Sequence, residues 1–143
     1  ECQIDVQLNA HIPESYIENL SQRLDIYKKI ASVKTQEDQM DLMDELFDRF
    51  GEVPPSVETL ISVALLRNTL AGFGFREINQ KAKALLLIPE HLNLEIAQKL
   101  QKAIRGRVMV NASTKPHIMV KLDARGDVVG TLREIAGALT EKA

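Results

Sequence analysis

The sequence predicts an α+β fold: an N-terminal strand, a four-helix lobe, then a small, mostly antiparallel sheet with two flanking helices. Three observations predict it. At the start, Ile4, Val6 and Leu8 alternate with Asp5, Gln7 and Asn9, the period of a half-buried strand. From Pro13 to Ala71 the apolar residues recur at three- and four-residue steps, as on helices packed along one side. Beyond Gly72 and Gly74, short apolar runs mix with amphipathic stretches, the mark of strands and helices in one layer system.

Taken in order, Pro13 opens a first helical stretch with Tyr16, Ile17 and Leu20 on one face. Ser21 is the expected cap of a second helix, with Leu24, Tyr27, Ile30 and Ala31 inward and Arg23, Lys28 and Lys29 outward. Thr35 caps a third, and Asp38 three residues later completes a capping box with a shorter acid. The third helix is expected to bury Met43, Leu46, Phe47 and Phe50 and to end at Gly51. Pro54 and Pro55 suit the entry to a fourth helix, where a missing N–H costs little. It runs from about Ser56 to Ala71, with Val57, Leu60, Ile61, Ala64, Leu65 and Asn68 inward.

In the second half, Phe75 to Gln80 and Ala84 to Ile88 read as strands, the latter cut by Pro89. Asn93 caps a helix carrying Leu94, Ala97, Leu100, Ala103 and Ile104. Val108 to Val110 and Ile118 to Leu122 pair across the loop 113–116. Asp127 caps a final helix with Val128, Leu132, Ile135, Ala136 and Leu139 inward, although Gly130 and Gly137 each weaken it by roughly 1 kcal/mol relative to alanine. The helical lobe thus covers about 13–71 and the sheet-containing lobe about 75–143. With no initiator methionine and a strand at once, the chain reads as one domain, 1–143, cut from a larger protein.

The 143 residues are 45% hydrophobic and 27% charged, ordinary for a water-soluble domain. No apolar run approaches the ~20 residues that span a bilayer. The one cysteine, Cys2, rules out an internal disulfide and fits a reducing compartment. The net charge of -2 conceals an uneven spread. From Lys34 to Glu58 there are eight acids and two bases; from Arg76 to Arg133 there are eleven bases and five acids.

Few residues have the pattern that chemistry needs. Asp41, Asp44, Glu45 and Asp48 share a helix face, but an exposed stripe has nothing to raise a carboxyl pKa, and metals draw ligands from several elements. His11, His91 and His117 lack metal spacing with one another or with Cys2. Ser15, Ser21 and Ser56 sit in no nucleophile motif, and "GFGF" at 72–75 is no phosphate loop. No catalytic residue, cofactor or metal ligand is assigned. Lys99, Lys102, Arg105 and Arg107 cluster at one helix end, where they also complement the helix dipole. They leave open an accessory nucleic-acid contact by the basic half. The absence of aromatics from 76–143 removes the stacking platforms of single-strand binders.

Two blocks carry a resemblance. "RLDIYKKIA" at Arg23 to Ala31 and "ELFDRFGEVPPSVETLISVALLR" at Glu45 to Arg67, with the leading "CQIDVQL", resemble the C-terminal domain of bacterial transcription-repair coupling factors over roughly residues 1–78. The resemblance implies a non-catalytic regulatory domain of a cytoplasmic, ATP-driven translocase on double-stranded DNA. That parent would displace stalled RNA polymerase and recruit the excision-repair damage-recognition ATPase. This domain would clasp the parent's N-terminal module and so restrain it. The implied contacts fall on Glu45, Asp48 and Arg49, with Phe47 as a core residue behind them.

Overall fold

The computed structural model describes residues 2–8 and 10–140. Asn9 of the predicted alternation and the last three residues of the predicted sheet lobe lie outside the described residues. The elements, in chain order, are β1 (Gln3–Asp5), α1 (Leu20–Ala31), α2 (Gln36–Phe50), α3 (Pro55–Ala71), β2 (Phe75–Lys81), β3 (Ala84–Pro89), α4 (Leu94–Ala103), β4 (Val108–Asn111), β5 (His117–Lys121) and α5 (Val128–Thr140). The class is α+β, as expected. The chain divides into two units: Asn9–Asn68, and Glu1–Leu8 together with Thr69–Ala143.

In the helical unit, three of the four expected helices form. The stretch at Pro13 closes only one turn, in which Tyr16 and Ile17 N–H both donate to Pro13 O at 3.0 and 3.1 Å. Its next carbonyls are taken by a side chain: Arg23 Nη1 donates to Ile17 O at 2.9 Å and Glu18 O at 3.0 Å. Asn19, not Ser21, then caps α1, its side chain accepting from Gln22 N–H at 3.0 Å. The inward face of α1 is also rotated from the expected one. Ile26 and Ile30 are buried, whereas Leu24, Tyr27 and Ala31 are exposed.

The capping box of α2 forms as read: Asp38 N–H donates to Thr35 Oγ1 at 3.0 Å and Thr35 N–H to Asp38 Oδ2 at 3.2 Å. Gly51 ends the helix at φ 90°, a left-handed conformation in which a side chain would be strained. Pro55 opens α3 at its first turn. Leu42 and Leu46 of α2 pack with Ile26, Ile30, Val33, Val57, Ile61 and Ala64 in one apolar cluster, which Met43, Phe50, Leu60 and Leu65 flank. Asn68 ties α3 to the α1–α2 loop, donating to Val33 O at 2.6 Å.

The sheet unit holds five strands in the order β1-β2-β3-β5-β4. β1 lies parallel to β2, with Ile4 opposite Ile78; the other three pairings are antiparallel. Parallel neighbours need a long crossover, and here the whole helical unit occupies that connection in the chain. Along the strands Ile78, Leu85, Leu87, Ile118 and Val120 are buried. So are Ala97, Leu100, Val128, Leu132, Ile135 and Leu139 on the two helices. Leu94 and Ala103, expected inward on α4, are exposed.

At Gly130 an added Cβ would lie 2.8 Å from Asp127 Oδ2, so the glycine that weakens α5 also makes room for that carboxylate. Thr131 is the one fully buried polar residue among those described, and its hydroxyl is satisfied twice. It donates to Asp127 O at 2.8 Å and accepts from Asp123 N–H at 3.2 Å.

Candidate interaction face

The predicted site lies on the last two turns of α2. Successive helical residues turn by about 100°. With Leu42 and Leu46 inward, Asp44 and Asp48 fall on the outer face, Glu45 and Arg49 on one flank, and Met40 and Phe47 on the other.

The charged flank faces α1. Lys29 Nζ reaches Glu45 Oε2 at 2.6 Å, and Arg49 Nη1 reaches the same oxygen at 2.8 Å. Glu45 is half-buried, and Arg49 and Lys29 are exposed. These hydrogen bonds, from Lys29 first and Arg49 second, hold the Glu45 carboxyl below its ordinary range. The Arg49 guanidinium carbon lies 4.8 Å from the centre of the Phe50 ring, within cation–π range. Phe50 in turn meets Tyr16 with ring centres 5.8 Å apart and planes tilted by 58°. The Tyr16 hydroxyl, its pKa raised by burial, donates to Leu46 O at 3.2 Å and Gly51 O at 2.9 Å. The C-terminal turn of α2 is therefore fixed from three sides.

Asp48 is exposed and makes no ion pair among the described residues. Glu45 and Arg49 are thus brought together, while Asp48 lies about 60° round the helix from Glu45, toward the outer face, with its carboxylate in solvent. A shallow groove of about 220 Å³ runs beside them, lined by Lys29, Ser32, Asp38, Asp41 and Glu45 among others.

Phe47 corrects the sequence reading. It is 61% exposed rather than core, as is Met40 at 65%. The apolar arc of α2 spans Leu42 to Phe47 on the wheel and is wider than the core it faces, so its far edge is left in solvent. Seven-residue spacing puts Met40 and Phe47 in one line. That spacing was visible in the sequence, but only the position of the core separates an edge from a centre.

The basic cluster predicted at the end of α4 also changes. Arg107 is committed inside the sheet unit: Nη1 and Nη2 donate to Glu134 at 3.0 and 2.9 Å and Nε to Lys121 O at 3.1 Å. The Glu134 hydrogen bonds raise its pKa further. No helix among the described residues is long and apolar enough to cross a membrane.

The family model described as the TRCF domain matches residues 6–100, a span that includes all of α2. The transcription-repair-coupling factor of Bacillus subtilis (strain 168) is 42% identical over 102 residues, covering 70% of this chain and 9% of that protein. That of Staphylococcus aureus (strain USA300) is 29% identical over 113 residues, covering 79% of this chain and 9% of that protein. The chain therefore spans about a tenth of the length of these relatives. A crystal structure of the C-terminal domain of a transcription-repair coupling factor superposes with a TM-score of 0.83 at 19% identity, covering 96% of this chain and 91% of that one. At that identity the likeness shows the shared fold. On the family match and the Bacillus relative together, the chain belongs to the TRCF domain family of the transcription-repair coupling factors, and it shares the fold of such a factor's C-terminal domain.

Proposed function

We propose that this chain is the non-catalytic regulatory domain of a cytoplasmic, ATP-driven DNA translocase that couples transcription to nucleotide-excision repair. In this reading it clasps the N-terminal module of the same protein through Glu45, Asp48 and Arg49. The clasp covers the surface that the damage-recognition ATPase would use and restrains the motor until RNA polymerase and DNA engage it.

The observation that carries the reading is the order of α2's last turns. Arg49 is pinned by Phe50 and Glu45, and Glu45 by Lys29, so two of the three contact groups are held in place before a partner arrives. Holding side chains in advance lowers the entropy cost of association. Asp48 is left with open acceptor oxygens, which suit a guanidinium or ammonium on the partner. A mostly polar contact of this kind fixes register and exchanges readily for a competitor's.

The experiment is the triple substitution Glu45→Ala, Asp48→Ala, Arg49→Ala in the full-length parent. Truncating charged pairs at an interface costs roughly 2–5 kcal/mol. A loss of about 3 kcal/mol moves a closed–open equilibrium by more than a hundredfold. The expected result is raised ATPase activity and capture of the damage-recognition ATPase by an otherwise resting protein. A folded triple variant as inhibited as the parent would place the clasp elsewhere.

A further inference from the structure

The end of the sheet remote from the β4–β5 hairpin loop holds an open basin of about 770 Å³, lined by Lys81, Lys83, Lys121 and Arg125 around a floor that includes Ala84. The register explains the grouping. Lys81 pairs with Ala84, and Ala84 with Lys121, so two lysines flank one small residue across three strands. At 4.7–4.9 Å between strands, their backbones stand about 10 Å apart.

The frame is rigid. Leu122 N–H donates to Lys83 O and Lys121 N–H to Arg107 O, each at 2.8 Å. The turn that presents Arg125 is held by Asp123, whose Oδ1 accepts from Arg125 N–H at 3.0 Å and Asp127 N–H at 2.9 Å. Asp123 is the one acid in the lining, and that oxygen is already occupied by backbone donors. None of the four cations forms an ion pair among the described residues. Between Lys81 and Lys83, Ala82 is held at φ 55°, the only non-glycine at positive φ among the described residues. A left-handed alanine is strained and is kept where the surroundings impose it.

We propose that this basin binds the phosphate backbone of double-stranded nucleic acid, independently of sequence. Four unpaired cations spread over two strand ends and the turns beside them are too dispersed for one small anion and suit a polyanion. The lack of aromatics after Phe75 leaves no ring on which a single strand could stack, so a duplex fits better than a single strand. The contact is separate from α2 and does not rest on the proposed clasp.

The test is fluorescence anisotropy of a labelled duplex with the 143-residue chain. If four phosphates are neutralised, raising salt from about 50 to 200 mM weakens binding by roughly 100-fold. Lys83→Ala with Lys121→Ala lowers the slope of log affinity against log salt by about two. Lys99→Ala with Lys102→Ala, which removes equal charge on α4, leaves that slope unchanged. Scrambling the duplex sequence changes nothing, and a single strand of equal length binds more weakly. No binding at low salt, or equal losses from the two double variants, overturns the proposal. Binding to phosphatidylserine vesicles but not to duplex also overturns it and makes the surface a membrane contact.

Discussion

The two units treat their surfaces in opposite ways. In the helical unit Arg23, Lys29 and Arg49 are all paired with acids, yet Leu20, Leu24, Tyr27, Met40 and Phe47 are left in solvent. In the sheet unit the large exposed apolar residues among those described are Leu94 and Met109, and the four cations that line the basin form no ion pair among the described residues. Paired charges beside exposed apolar side chains suit a protein partner, which supplies its own apolar surface. Unpaired cations around a basin suit a polyanion. One near-neutral chain thus carries two surfaces of different chemistry, and its net charge describes neither.

The separation can be broken most severely through the core. Leu46→Ala removes a fully buried side chain that only the helical unit uses, at a cost of about 2–5 kcal/mol. Hydrogen exchange is expected to show lost protection in α1, α2 and α3 while β3 and β5 keep theirs. Equal loss in both would mean that the units share one cooperative core. Thr35→Ala acts on the same unit more mildly. It removes the cap acceptor of Asp38 N–H and is expected to cost about 1 kcal/mol in urea denaturation.

Acid sharpens the comparison. Glu45 is held below its ordinary pKa by Lys29 and Arg49, and Asp38 below its own chiefly by the Lys34 N–H. A carboxyl whose folded pKa is depressed contributes stability that is fully present above its unfolded value and is lost as pH falls through the folded one. The gap in urea midpoint between the parent chain and Glu45→Gln is therefore expected at neutral pH and should close well below about pH 4. A gap that widens on acidification would mean the ion pairs do not set this pKa. The smallest stability effect belongs to Phe47→Ser. Being exposed, it should alter stability by no more than about 0.5 kcal/mol. A loss of several kcal/mol would return Phe47 to the core.

Most caps and stops were legible because they are local: Thr35 with Asp38, Gly51, Pro55 and Asn93 each act within one turn, whereas at α1 Asn19 took the cap expected of Ser21. The strands of the second half were legible from short apolar runs between glycines and prolines. Helix faces were harder. α1 carries two apolar stripes, Leu20–Leu24–Tyr27 and Ile26–Ile30, about a third of a turn apart, and periodicity cannot choose between them. Packing chose the isoleucines, and the same limit misplaced Phe47. The charges of the candidate face were visible as residues, but the Lys29 link that orders Glu45 joins two helices. The basin depends on strand register, since Lys81 and Lys121 meet only because both flank Ala84. The parallel partner of β1 lies more than 70 residues away, beyond any local signal.

The central claim is that α2's outer turns form a prearranged protein contact. Its most direct measurement is a calorimetric titration of this chain against the N-terminal module of its parent. The account predicts saturable binding that weakens about a hundredfold or more with Glu45→Ala, Asp48→Ala and Arg49→Ala together, by an amount corresponding to roughly 3 kcal/mol. Lys29→Ala, which only loosens Glu45, should weaken it less. Equal affinity of the folded triple variant and the parent chain would contradict the claim.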